Sequence, residues 1–327
     1  MKRVLGIGNA LVDLLIRVEN EDLLKELSLG KGSMQLVNSD FKNLVLSKTK
    51  NLKKSQASGG SAANTIHGIA SLGAETAYIG TIGNDELGEF FLTDLKNNNI
   101  TTFLNRSETE TGVASTLITP DSERTFGTYL GAAVELNASD LQESVFKNYQ
   151  ILHLEGYLVL NTALVEKALQ LAKSNGMTVS LDLASYNVVE ANLEFLRNIT
   201  SKYVDIVFAN EEEAKAFTGK SPEEALEEIA TMCEIAVVKT GKSGSLIKDK
   251  HSFSKVEATP SKVIDTTGAG DLYAAGFLYG YSRGLSSEKS AKIGAILAGK
   301  VIEEIGAKIQ DDTWIGIRET VKDIENQ

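Results

Sequence analysis

The sequence predicts an α/β fold: a central, mostly parallel sheet flanked by helices, with a small inserted β-sheet lid. Short, nearly all-apolar runs at 4–8, 76–82, 151–154, 178–183, 205–208 and 236–239 read as strands covered on both faces. Longer helical patterns lie between them, and that alternation implies right-handed crossovers. Residues 14–50 and 100–130 break the rhythm, lacking strong helical patterns and carrying β-branched and aromatic runs.

Each element has a local reason. The run at 4–8 opens the sheet, and a small-residue helix at 62–72 follows Gly59-Gly60. Helical periodicity then marks 86–97, 162–174, 193–200, 222–233 and 270–283. Ser221-Pro222-Glu223-Glu224 supplies an N-cap, a proline at the first helical position and acidic residues in the first turn. Gly176 is a stop signal for the 162–174 helix. The lid is expected from runs at 14–18, 33–37, 111–119 (TGVASTLIT) and 124–130 (RTFGTYL). The main domain is then 1–13, 51–99 and 131–327, and the discontinuous lid is 14–50 and 100–130. Loops covering the sheet edges are the alternative to a lid.

The chain has 327 residues, with 33 Lys plus Arg against 44 Asp plus Glu, a formal charge of −11. This length can bury a large core. No basic excess is available for a nucleic-acid partner. Any anionic substrate needs a local positive field. The single cysteine, Cys233, excludes an intrachain disulfide, and the three histidines are too scattered for a zinc pair. The N-terminus lacks a signal-peptide apolar core, and no run approaches the roughly 20 apolar residues of a membrane span. A cytoplasmic protein with no membrane partner is expected.

Two nucleotide motifs fail. Gly6-Ile-Gly8-Asn-Ala-Leu11 starts like a dinucleotide fingerprint but has Leu11 at the third glycine. Gly241-Lys-Ser and Gly219-Lys-Ser lack the leading glycine of a P-loop, with Ala236 and Ala214 at that offset.

The richest stretch is Ile264-Asp-Thr-Thr-Gly-Ala-Gly-Asp-Leu-Tyr-Ala-Ala-Gly-Phe277. Gly268 and Gly270 permit close backbone approach, and a helix starts at once. Its first amides form an anion site. Asp271, in the first turn, is placed to accept a proton from an attacking hydroxyl. A glycine turn with a capping aspartate explains the same residues equally well. In Ala57-Ser-Gly-Gly-Ser-Ala-Ala-Asn-Thr65, two glycines precede a small-residue helix, with Asn64 able to bond hydroxyls. Close helix–strand packing is the alternative there.

Together the two stretches resemble the ribokinase-like (PfkB) carbohydrate and nucleoside kinases, from Gly6 to about Ala307. Gly59-Gly60-x3-Asn64 matches the N-terminal signature and Asp265-Thr-Thr-Gly-Ala-Gly-Asp271-x4-Gly276 the C-terminal one. The resemblance implies ATP-dependent phosphorylation of a primary alcohol on a small sugar-like molecule. Asp271 matches the catalytic base, and Gly268, Ala269 and Gly270 the anion hole. Asp13 matches the carboxylate that binds ring hydroxyls, and Gly59, Gly60 and Asn64 further substrate positions. Asn9 is assigned to the substrate pocket too. Asn210 and Glu213 match the Asn-x-x-Glu motif linked to magnesium and phosphate placement, with Glu213 reaching Mg2+ through water. An acidic first helical turn would explain the glutamates but not Asn210. Thr240, Gly241 and Gly244 partly match a nucleotide-side motif and are assigned to ATP. Arg124 matches a basic residue near the phosphates, or is a surface lid charge. Some members use a monovalent cation such as K+ beside the anion hole, where Asp265 and Thr267 fall.

The segments 29–37, 124–133 and 153–158 look closest to the adenosine-kinase-like branch. Met34 is expected to cover the acceptor. Leu158 stands at the usual aromatic stacking position, so ribose, a fructose-like ketose or another nucleoside stays open beside adenosine. A non-catalytic sugar- or nucleotide-binding regulator on this fold is the other class. Edge strands of the lid would also permit a homodimer.

Overall fold

The computed structural model describes every residue except Ser33 and Ser122, and the Met34 side chain also lies outside the described set. In chain order the strands are β1 (Val4–Ile7), β2 (Leu11–Arg17), β3 (Met34–Leu36), β4 (Lys54–Gly59), β5 (Thr76–Gly83), β6 (Ile100–Ser107) and β7 (Gly112–Ile118). They continue as β8 (Arg124–Tyr129), β9 (Ile151–Glu155), β10 (Thr178–Asp182), β11 (Ile206–Asn210), β12 (Ile235–Lys239), β13 (Ser245–Asp249) and β14 (Phe253–Val256).

The large sheet runs β14-β13-β12-β11-β10-β9-β1-β5-β6. It is parallel from β12 to β6 and antiparallel at β13 and β14. Its strands feed two apolar layers by alternation. Val4, Tyr78, Ile151 and Phe208 face helices 61–71, 269–282 and 287–301, whereas Leu5, Ala77, Leu152 and Val207 face helices 162–174 and 193–203. Burial on both faces is why these runs read as uniformly apolar. The chain leaves β1 outward to β5 and β6, then returns to β9 on the other side of β1 and proceeds to β12. The β1–β9 boundary is therefore a topological switch point, where an α/β sheet opens a crevice at its carboxyl edge.

The second sheet runs β3-β8-β7-β2-β4 and covers its own small core of Ile16, Val18, Leu24, Val45 and Leu117. Its membership differs from expectation in two places. Residues 100–107 pair with β5 as the edge of the large sheet, in register from Ile100 with Thr76 to Ser107 with Gly83. An edge strand is covered less, so ITTFLNRS lacks the all-apolar signature. Residues 54–59, placed by sequence in the main domain, form the polar edge β4 and pair with β2. The 14–50 segment also holds a helix, Ser39–Lys48, capped by Asn38 through the Phe41 N–H. Its polar composition hid the pattern.

Candidate active site

The carboxyl ends of adjacent parallel strands place polar side chains side by side. Glu155 ends β9, Asp182 β10, Asn210 β11 and Lys239 β12, with Asp182 opposite Glu155 and Lys239 opposite Asn210. A cavity of about 1070 Å³ opens over them, lined by Asp182, Asn210, Glu213, Lys239, Gly270 and Asp271 among others. Gly241, Gly244, Gly268, Ala269, Ala295, Ala298 and Gly299 also line it.

Asp271 sits in the first turn of the helix Ala269–Ser282, which follows Gly268 at φ 75°. Its carboxylate accepts from Ser61 Oγ (2.7 Å) and Asn64 Nδ2 (2.9 Å). Burial raises its pKa, and those two hydrogen bonds oppose the rise. The Ala269 N–H donates to the Thr266 carbonyl (3.2 Å). The Gly270 and Asp271 N–H groups, at the helix start, remain as the first-turn donors for an anion. The middle position of the expected anion hole thus differs from expectation: the Ala269 amide closes the turn rather than facing out.

Lys239 Nζ supplies positive charge here. It donates to Asp182 (2.9 Å), and a Cβ added at Gly270 would lie 3.0 Å from it. Burial opposes its charge, but Asp182 and Glu213 outweigh burial and hold its pKa above the ordinary value. Asn210 caps the helix Glu211–Thr218 and forms a reciprocal capping box with Glu213. Capping accounts for this Asn-x-x-Glu pair structurally, and both residues still face the cavity. Burial raises the Glu213 pKa, with Lys239 opposing. Thr240 is buried beside the cavity, its hydroxyl without a partner among the described residues, while Gly241 and Gly244 line it.

Where β4 meets β2, Gly60 has φ 96°, and a Cβ at Gly59 would run into the Asp13 carboxylate. These glycines bring β4 against β2 and make room for Asp13. Burial pushes the Asp13 carboxyl up to about 7, Lys308 pulling it back and Asp271 adding to the rise. Asn9 is engaged by Glu155, which also accepts from the Ala62 N–H (2.9 Å). Burial pushes Glu155 up to about 7 despite these bonds.

Arg124, on β8, pairs with buried Asp265 in the loop before Gly268, rather than lining the cavity. Asp265 also accepts from the Thr267 N–H (2.8 Å) and the Gly306 N–H. The pair therefore ties the small sheet to the glycine loop.

Sequence reasoning did not single out Ser61, Asp182, Lys239, Lys308 or the role of Glu155. Three of these share a readable signal: a lone charged residue ending an apolar parallel strand.

Across residues 35–314 the chain matches the pfkB family carbohydrate kinase model. It belongs to the pfkB family of carbohydrate kinases. A structure described as adenosine kinase from Sinorhizobium meliloti superposes with a TM-score of 0.89 at 35% identity, covering 98% of this chain and 99% of that one. A probable sugar kinase from Rhizobium etli gives a TM-score of 0.89 at 33% identity over 99% and 98%. An uncharacterized sugar kinase from Archaeoglobus fulgidus is 30% identical over 243 residues, 74% of this chain and 96% of that protein. This pfkB protein is thus a phosphotransferase acting on a hydroxyl, a sugar or nucleoside kinase by relationship. No helix among its described residues is long and apolar enough to cross a membrane.

Proposed function

We propose that the protein transfers a phosphoryl group from ATP to a primary hydroxyl of a neutral sugar or nucleoside, with adenosine as the first candidate. The observation that carries this reading is the convergence of Asp271, the first-turn amides and Lys239 at one end of the cavity. Asp271 accepts the hydroxyl proton, and Ser61 and Asn64 hold its carboxylate in place. The Gly270 and Asp271 amides, with Lys239 beside them, stabilise charge on the transferring group. Gly241, Gly244, Asn210 and the small residues of helix 287–301 hold the nucleotide.

The donor set fits magnesium carried mainly by phosphates. Glu213 is one carboxylate facing the cavity, and no cluster of three acidic, histidine or cysteine ligands occurs among the described residues. Mg2+ would neutralise phosphate charge, with Glu213 holding it through water. For K+, the buried Asp265 already accepts from Arg124 and from two backbone amides, so any monovalent cation here would rest on loop carbonyls.

Adenosine is favoured by the Sinorhizobium meliloti relative, and Tyr157 lines the cavity. Leu158 is buried and offers no aromatic face, which favours a free sugar as the second reading. An ATP-dependent screen with adenosine, inosine, ribose and fructose decides between them. Ligand binding without ADP release on any alcohol would favour the regulator instead. For assembly, we propose pairing of a second copy along the polar β4 edge of the small sheet, tested by the mass in solution.

A further inference from the structure

Residues 306–308 run between the two halves of the site. The Gly306 N–H donates to Asp265, and a Cβ at Gly306 would lie 3.2 Å from Leu15 on β2. A Cβ at Gly268 would lie 2.5 Å from Ala307 Cβ. Lys308 therefore leaves a segment wedged between the glycine loop and the strand that carries Asp13. Its ammonium is shielded from solvent and has no hydrogen-bond partner among the described residues. A buried ammonium has three donors and is costly to leave unbonded. This points to a missing partner.

The surroundings narrow what that partner is. The Lys308 charge acts on Asp94, Asp13 and Asp271, and on His67. Asp94 is already held by Ser58 and Asn98, and Asp271 by Ser61 and Asn64. The Asp13 carboxylate has no hydrogen bond among the described residues, and Asn64 Oδ1 is likewise unpartnered. The open groups are then one donor, Lys308, and two acceptors, Asp13 and Asn64 Oδ1. One ammonium among three carboxylates leaves this cluster net negative. A carboxylate or phosphate substituent would be repelled there, whereas a hydroxyl both donates and accepts.

We propose that Lys308 is an acceptor-recognition residue, donating to an oxygen of a neutral polyol whose hydroxyls donate hydrogen bonds to Asp13. The inference deepens the kinase reading and rests on it. Burial brings the Lys308 pKa down to about 8, opposed by the three carboxylates, so the donor stays protonated near neutrality.

The test is calorimetric binding of adenosine, ribose and fructose to the full chain and to Lys308→Met, with ADP release measured in parallel. Loss of a hydrogen bond to a charged group predicts acceptor affinity weaker by about tenfold to a hundredfold. ATP affinity should be unchanged, and Lys308→Arg should recover part of the loss. Gluconate should bind the unaltered protein no better than neutral sugars. Equal acceptor affinity in Lys308→Met, or preferential binding of gluconate, would overturn the assignment. Should Lys308→Met lose ATP binding through misfolding, Lys308→Gln carries the same comparison. Binding without ADP release in the unaltered protein would instead count against the kinase reading alone.

Discussion

Glu155 Oε1 receives both the backbone N–H and the side-chain Nδ2 of Asn9, at 2.8 and 2.6 Å. This clamp sits at the switch point, where β1 and β9 part the two directions of the sheet. Its other oxygen takes the Ala62 N–H, so one buried carboxylate fixes the exit of β1 and the start of helix 61–71. Asp13 follows the first of these segments, and Ser61 and Asn64 lie on the second. Glu155→Gln keeps the shape but turns an acceptor into a donor against an N–H group. We expect a loss of about 2 kcal/mol in stability, the cost of a buried unsatisfied donor, measured by urea unfolding. Acceptor binding should weaken more than ATP binding in the same variant.

Asp271→Asn removes the proton acceptor while Ser61 and Asn64 can still hold the side chain. General-base loss predicts a fall in turnover of about a hundredfold to ten-thousandfold, read by ADP release. Calorimetric ATP affinity should be retained. Near-normal turnover would remove Asp271 from the catalytic role.

Much of this architecture is legible in the residues. Apolar strands such as 151–154 and 236–239 announce a two-faced sheet because both faces are buried. The Asp265–Asp271 run marks the site because backbone geometry demands its glycines locally. What stayed hidden depends on long-range pairing. The polar strand KSQASG forms only because β2 pairs with it, and no pattern within it predicts that. Lys308 looks like an ordinary surface lysine until residues 306–308 are placed against the glycine loop and β2. Arg124 reads as a phosphate ligand or a surface charge, and only the fold brings Asp265 to it.

The Arg124–Asp265 pair joins the small sheet to the glycine loop and is almost wholly buried, at 9% and 0% side-chain exposure. Removing one partner leaves an uncompensated buried charge, so Arg124→Ala should cost about 3 kcal/mol of stability. Asp265→Asn should cost at least as much, because it leaves the buried guanidinium uncompensated and sets an amide N–H against the Thr267 or Gly306 N–H. A double-mutant cycle by urea unfolding measures the coupling, and a cycle energy near zero would remove the tie between small sheet and glycine loop.

The raised carboxyl pKa values give activity and stability opposite pH dependences. Asp13 has a folded pKa of about 7 against an ordinary 3.8, and Glu155 about 7 against 4.5. Between the ordinary and folded values the native state holds protons that the unfolded chain has released. Unfolded-minus-native proton binding is then negative, so these groups lower stability as pH rises through that window. Above about pH 7 their effect levels off. Thermal midpoints should therefore rise on acidification from about pH 8 toward pH 6.5, below which buried His153 and His67, whose pKa values burial lowers, oppose the gain. Acceptor binding is expected to run the other way, because only ionised Asp13 accepts hydrogen bonds from two hydroxyls. The acceptor kcat/KM should fall as pH drops below about 7, while calorimetric ATP affinity holds. Asp13→Ala should weaken the acceptor far more than ATP and flatten the acceptor's pH dependence. An unchanged acid limb in that variant would assign the titration to another carboxyl, with Asp271 next in line because burial raises it too.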